Sequence, residues 1–233
     1  MTVLIPFSAW EVGVMLEELK RMVWEANLAL PRNRLVTATS GNASGRDAKT
    51  GLVVIKPSGV EFDDLKPEQL NVVTLDGKAV EGGLKPSVDT ATHLYVYRHM
   101  SGVNGIVHTH SPYATSFAVR GETLPICMTT IASEFGTHIP VSDFATIGGE
   151  EIGMEIVKKI GSSPAILMKN HGVFTVGPSV RAALKASIML EEAAMTVHLA
   201  MTRGGVSELP KEVIDYAYRF YRTEYGQGLG EAE

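Results

Sequence analysis

The sequence predicts a single α/β domain, residues 1–233, with a central, mostly antiparallel β-sheet flanked by helices. Three observations predict it. Short apolar runs alternate with longer segments of helical periodicity along the chain. One such run closes on Asp76-Gly77, a dipeptide suited to the tight turn between antiparallel strands. No internal repeat, low-complexity stretch or linker-like shift divides the 233 residues, a length that supports a sizeable core.

The elements follow in order. Residues 10–28 place Val14, Leu16, Leu19, Met22, Val23 and Ala26 at helical spacing, and Pro31 ends that helix. Residues 37–45 read as a polar, glycine-bearing turn, and residues 51–55 as a strand running into the Lys56-Pro57-Ser58-Gly59 turn. Residues 71–75 are a second strand. A helix spans 90–100, with Ser87 or Asp89 available to cap it. Residues 105–110 form a β-branched strand carrying two histidines, and a helix over 112–119 follows. Residues 139–141 read as a strand, and 149–160 as a helix whose early glutamates and late lysines match the macrodipole. Strands at 165–168 and 173–176 are separated by a break at Asn170-His171-Gly172. The longest periodic element is a helix over 180–201, with alanine and methionine on its buried face. A last, aromatic-rich helix covers 211–221 and leads to Tyr225-Gly226-Gln227.

Composition narrows the function classes. Net charge is −5, the sequence pI is about 5.8, and no block of Lys or Arg occurs. That argues against a nucleic-acid or anionic-membrane partner, which clustered positive charge would bind, but leaves room for a local anion site. The single cysteine, Cys127, lies in an apolar run and reads as a small buried hydrophobe. It cannot form an internal disulfide, which suits a reducing compartment. No leader-like N-terminal segment and no membrane-length apolar run is evident, so a cytoplasmic location is expected.

His108-Thr109-His110 is the sharpest local signal. Residues two apart on a strand face the same side, so both imidazoles can reach one point. Zinc favours such nitrogen ligands, and a catalytic site keeps three protein ligands and an open position. The alternative is a pair of core-edge histidines satisfied by backbone groups. His171, at a break directly after an apolar strand, supplies a third ligand of the right kind, and Gly172 would allow unusual backbone beside it. His93, His99, His138 and His198 read as structural or solvent-facing.

The stretch from Thr39 through Gly41 and Asn42 to Ser44 combines hydroxyls, an amide and glycine-freed N–H groups. So does the turn of Lys56, Ser58 and Gly59, and Lys85-Pro86-Ser87 repeats the composition. Such turns make anion-binding concavities, and Lys56 adds a compensating charge. Each alone is merely a turn. Three of them beside a candidate metal site point to a phosphorylated small substrate. Asp89 is either a helix cap or a general acid/base near the metal, and Glu134 is a second loop carboxylate with the same ambiguity.

Several motifs, in this order, resemble the class II aldolase/adducin superfamily, most closely its L-ribulose-5-phosphate 4-epimerase branch. They are Glu25-Ala26-Asn27-Leu28-Ala29-Leu30-Pro31, Gly41-Asn42-Ala43-Ser44, Ile55-Lys56-Pro57-Ser58-Gly59-Val60, Lys85-Pro86-Ser87-Val88-Asp89-Thr90, Ile106-Val107-His108-Thr109-His110-Ser111, Asn170-His171-Gly172 and Tyr225-Gly226-Gln227. The resemblance spans nearly the whole chain. It implies the three-layer fold of that superfamily. It also implies a zinc ion, or another divalent metal such as Mn2+ or Co2+, held by His108, His110 and His171. The phosphate of a ketose substrate would be held by the Gly41-Asn42, Ser58-Gly59 and Ser87 turns. A fourfold-symmetric homotetramer with active sites at subunit interfaces is implied as well, with Tyr225 an acid/base tyrosine from the neighbour's tail. Asp89 matches a carboxylate beside the metal. Related fuculose-phosphate aldolases carry glutamate there, so the aspartate favours the epimerase over the aldolase, and retention of all three histidine positions argues against a non-catalytic adducin-like scaffold. Two departures stand out. Ser133 takes the place of the usual proton-transfer aspartate, with Glu134 beside it, and Val88 replaces a second phosphate-contacting serine.

Overall fold

The computed structural model describes residues 9–226. Its elements are α1 (Ala9–Arg32), β1 (Asn42–Arg46), β2 (Val53–Ile55), β3 (Asn71–Val73), β4 (Ala79–Glu81), α2 (Thr90–His99), β5 (Gly105–Thr109), α3 (Pro112–Arg120), α4 (Thr129–Phe135), α5 (Glu151–Lys159), β6 (Ala165–Met168), β7 (Gly172–Gly177), α6 (Val180–Met201) and α7 (Lys211–Thr223). The strands form one seven-stranded sheet in the order β4-β3-β2-β1-β5-β7-β6. Every pairing is antiparallel.

Strand alternation divides the core into two faces. Ala43, Val54, Val72 and Val107 point toward Leu19, Val23, Ala26 and Leu30 of α1 and toward Val180 and Ala183 of α6. On the same side, Ala165, Leu167 and Val173 meet α3, α4 and more of α6, with half-buried Cys127 packed against that cluster. The opposite face carries Val53, Val73, Ile106, Ile166 and Phe174 beneath Leu94, Val96 and Tyr97 of α2 and Ile152 and Ile156 of α5. The result is the expected three layers, helices on both faces of an antiparallel sheet. Among the described residues no helix is long and apolar enough to cross a membrane.

Several boundaries differ from expectation for identifiable reasons. The first helix continues one residue past Pro31 to Arg32, and the chain turns at Arg34, which takes a left-handed backbone (φ 59°). The polar stretch 37–45 is only partly a turn, because Asn42–Arg46 is a strand in the middle of the sheet. Its small residues are a packing requirement: a Cβ on Gly45 would meet Val180 at 2.6 Å and Leu19 at 2.7 Å, where α6 and α1 press on the sheet. Residues 139–141 make only isolated bridges, Leu124 with Ile139 and Val141 with Leu167. Glu134 lies on a helix, α4, rather than in a loop. Ile131, Ala132 and Phe135 anchor α4 in the core, and Gly136 ends it in a left-handed cap (φ 65°).

Candidate metal centre and phosphate cavity

Two neighbouring strands and one turn bring the three histidines together. His108 is paired with Phe174 across β5 and β7, and His110 follows the end of β5. His171 belongs to the reverse turn from β6 to β7, closed by its own N–H donating to the Met168 carbonyl. The left-handed residue of that turn is Asn170 (φ 59°), not Gly172. Gly172 is required for a different reason. A Cβ there would lie 2.5 Å from the Thr109 carbonyl oxygen and 2.6 Å from the His110 ring.

The His108 ring lies flat on Phe174, with centroids 4.2 Å apart, and its Nδ1–H donates to the Val173 carbonyl at 2.9 Å. That bond fixes the tautomer and leaves the Nε2 lone pair facing outward. His110 Nε2 lies 3.1 Å from His108 Nε2. The nitrogen pairs of a tetrahedral zinc site are roughly 3.3 Å apart by comparison. One ring nitrogen from each of the three histidines falls within 4.8 Å of the others. His171 Nδ1 is buried and makes no hydrogen bond among the described residues. Burial pulls all three histidines down in pKa, His108 to about 3 against the opposing pull of Asp89. Neutral imidazoles with converging lone pairs fit a divalent cation that prefers nitrogen.

Asp89 occupies the N-cap position of α2 but does not cap it. Its Oδ2 accepts instead from the Asn42 amide at 2.7 Å. Burial opposes its charge, yet His108, His93 and the Asn42 hydrogen bond outweigh that and hold the carboxyl below its ordinary range. The side chain is therefore an ionised group that leaves α2 uncapped and lines the same cavity as His110 and His171.

The three turns converge on one cavity of about 320 Å³. Gly41, Asn42, Lys56, Ser58, Gly59, Ser87 and Asp89 line it together with His110 and His171. Two of the turns are stitched together, since the Ser58 N–H donates to the Lys85 carbonyl and the Ser87 N–H to the Lys56 carbonyl. Lys56 is buried, and its ammonium donates to the Val60 carbonyl at 2.6 Å, below the turn it supports. Burial lowers its pKa, with Glu61 opposing. Ile147, from the loop before α5, closes one side of the cavity, and nothing in the sequence marked it.

Glu134 and Tyr225 lie elsewhere in the chain. They share a separate cavity of about 450 Å³ with Lys185 and Tyr221, and no lining residue is common to the two cavities. Tyr225 stacks on Tyr221 at 4.8 Å and is 66% exposed, while Gln227 falls outside the described residues. Ser133 lines an adjoining cavity with Glu134 and Tyr225.

The remaining histidines lie outside the cluster, His93 buried, His198 half-buried and His99 and His138 exposed. His99 stacks on Tyr95, His138 pairs with Glu208, and His198 bonds Ser116. His93 is fully buried beneath the site, with Nδ1 bonded to Ser44 Oγ at 2.7 Å; the same hydroxyl contacts Tyr97. Burial lowers its pKa to about 4. Its unfolded value is about 6.5, so the unfolded chain takes up this proton first as pH falls. The contribution to stability is complete above pH ~6.5 and drains away toward pH 4, on the order of 3 kcal/mol at most. Urea midpoints of the metal-free protein should therefore fall between pH 7.5 and pH 4.5, and His93→Asn should flatten that dependence. An unchanged slope in the variant would assign the acid lability to other groups.

Comparison with known proteins agrees with this geometry. A profile of the Class II Aldolase and Adducin N-terminal domain matches residues 21–198. The chain is 39% identical over 212 residues to L-ribulose-5-phosphate 4-epimerase UlaF of Salmonella paratyphi C (strain RKS4594), covering 86% of this chain and 92% of that one. A solved L-fuculose 1-phosphate aldolase superposes with a TM-score of 0.83 at 28% identity, covering 88% of this chain and 96% of that one. The L-fuculose-1-phosphate aldolase of Thermus thermophilus superposes with a TM-score of 0.69, also at 28% identity, covering 81% and 98%. With its antiparallel three-layer fold, converging histidines and matching profile, the chain belongs to the class II aldolase and adducin N-terminal domain family.

Proposed function

We propose that this protein is a zinc-dependent L-ribulose-5-phosphate 4-epimerase of the cytoplasm. It would interconvert L-ribulose 5-phosphate and D-xylulose 5-phosphate by cleaving and re-forming the C3–C4 bond. The observation that carries the proposal is one cavity where His110, His171, Asp89 and three glycine- or serine-bearing turns meet, with His108 completing the histidine cluster behind it. The relative named for that activity is 39% identical.

His108, His110 and His171 would hold the ion, which supplies Lewis-acid polarisation of substrate oxygens. At the turns of Gly41-Asn42, Ser58-Gly59 and Ser87, the two serine hydroxyls would be donors for the phosphate, since both serine N–H groups are committed to the Lys85 and Lys56 carbonyls, and Lys56 would add positive charge beneath. Asn42 fixes Asp89, so this carboxylate can hold or accept a proton from a hydroxyl beside the histidines. Glu134 and Tyr225 would carry the C4 hydroxyl proton on opposite faces of the aldehyde. Their separation from the histidine cavity within one chain accords with delivery by a neighbouring subunit, in a homotetramer whose sites lie at interfaces.

The direct test is NMR product analysis of L-ribulose 5-phosphate with zinc-loaded protein. Xylulose 5-phosphate is the expected product. Free aldehyde and ketone fragments would instead support a class II aldolase, the reading favoured by the solved fuculose-phosphate aldolases. The shared-site arrangement has its own test. His108→Ala and Tyr225→Phe should each be inactive alone, yet random equimolar mixing of the subunits should leave about a quarter of interfaces with both halves intact. No recovery on mixing would place Tyr225 outside the site.

A further inference from the structure

The cavity holding Glu134 and Tyr225 contains a lysine to which neither the sequence nor the proposed reaction gave a role. Lys185 reaches from α6, and its ammonium lies 3.0 Å from Glu134 Oε2. The same ammonium lies 4.8 Å from the centroid of the Tyr221 ring. Tyr221 in turn stacks on Tyr225. One cation thus touches the carboxylate directly and the tyrosine through a single ring. The backbone around Glu134 is held independently, because Arg222 donates to the carbonyls of Ser133 (3.1 Å) and Glu134 (3.3 Å).

The two partners of this ion pair are unequally buried. The Glu134 side chain is 11% exposed and that of Lys185 is 50% exposed. Burying the ammonium together with the carboxylate would add its own desolvation cost. Here the ammonium stays at the wall of the cavity, beside Tyr221 and Tyr225. Ser133 has the position next to the carboxylate. Moving the acid by one residue along a helix turns it about 100°, so it needs a new partner to aim it.

We infer that Lys185 is the positioning residue for the Glu134–Tyr225 proton-carrying pair, an inference that rests on the roles proposed above for that pair. Lys185 fixes the direction of the carboxylate and, through Tyr221, the placement of the Tyr225 ring. It does not itself touch substrate. The shift in function from an aspartate to the Ser133-Glu134 pair is then accommodated by α6.

The test uses zinc-loaded full-length protein with L-ribulose 5-phosphate, following both epimer formation and fragment release. Lys185→Met should lower kcat about 10–100-fold, part of the general acid–base contribution, and leave KM within about twofold. Lys185→Arg should restore kcat to within about threefold, since it keeps a donor for the carboxylate. Zinc content and oligomer mass should match the wild type in both variants. In a double-mutant cycle, Lys185→Met should add little to Glu134→Gln if the lysine acts through that carboxylate. A Lys185→Met kcat within threefold of wild type, strict additivity, or a raised KM at unchanged kcat would each overturn the inference while leaving the epimerase reading intact. A wild-type protein with no turnover of either kind would overturn that reading and this inference with it.

Discussion

His108→Ala is expected to remove stoichiometric metal and to lower kcat/KM by at least about 10³-fold, the combined loss of a ligand and of the Lewis acid it helps to hold. His108 is the most constrained of the three histidines. It is stacked on Phe174, its Nδ1–H is committed to the Val173 carbonyl, and its Nε2 is 3.1 Å from that of His110. Metal analysis after desalting should find about one zinc per wild-type chain and little in the variant. A second readout is independent of catalysis. Saturating zinc at a thousand times its Kd should stabilise the wild type by about 4 kcal/mol and leave the variant almost unmoved. Retained zinc with lost activity would instead make His108 a participant in the reaction rather than a ligand.

Much of this architecture was legible in the chain because periodicity follows the faces that are buried. The helix of residues 180–201 is found with the predicted bounds, since its alanines lie against the sheet and the neighbouring helices. Strand β5 was legible from its β-branched run and β6 from its apolar one. Strand β1 was not, and the reason is physical. Asn42-Ala43-Ser44-Gly45-Arg46 contains no β-branched residue, and at Gly45 Val180 of α6 and Leu19 of α1 leave no room for any side chain. Helix α4 was hidden by its leading threonines, and its stability comes from tertiary contacts of Ile131 and Phe135 rather than from propensity.

The site divides in the same way. His108-Thr109-His110 could be read because strand spacing alone puts both rings on one side. That Asp89 leaves α2 uncapped could not be read from the chain. It depends on the pairing of Asn42 with His108 across β1 and β5, which brings the Asn42 amide to Asp89. Such register is a property of the folded sheet. The roles proposed for Glu134 and Tyr225 rest on assembly, a level further from sequence, and a single chain shows only that they share a cavity.

Gly172→Ala carries the second large effect, and it isolates geometry from ligand chemistry because every histidine is kept. The new methyl would press on the Thr109 carbonyl oxygen at 2.5 Å, on the His110 ring at 2.6 Å and on His108 Cε1 at 3.3 Å. The backbone contact is the decisive one. A ring can rotate away, but Thr109 is paired with Val173 in the sheet and can retreat only if β5 and β7 separate. Overpacking of this kind costs about 1–3 kcal/mol in stability. Displaced imidazoles should weaken zinc by about 10–100-fold, the range seen when ligand orientation is disturbed. Gly59→Ala is the matching control. Its φ of 69° strains any side chain, but a methyl there meets nothing within 4 Å. That variant should lose about 1 kcal/mol of stability, raise KM for a phosphorylated substrate and bind zinc as the wild type does. Chelator-competition titrations of the two variants decide the matter. Equal zinc affinity in both would mean that the histidines tolerate displacement and that Gly172 serves only the strand pairing.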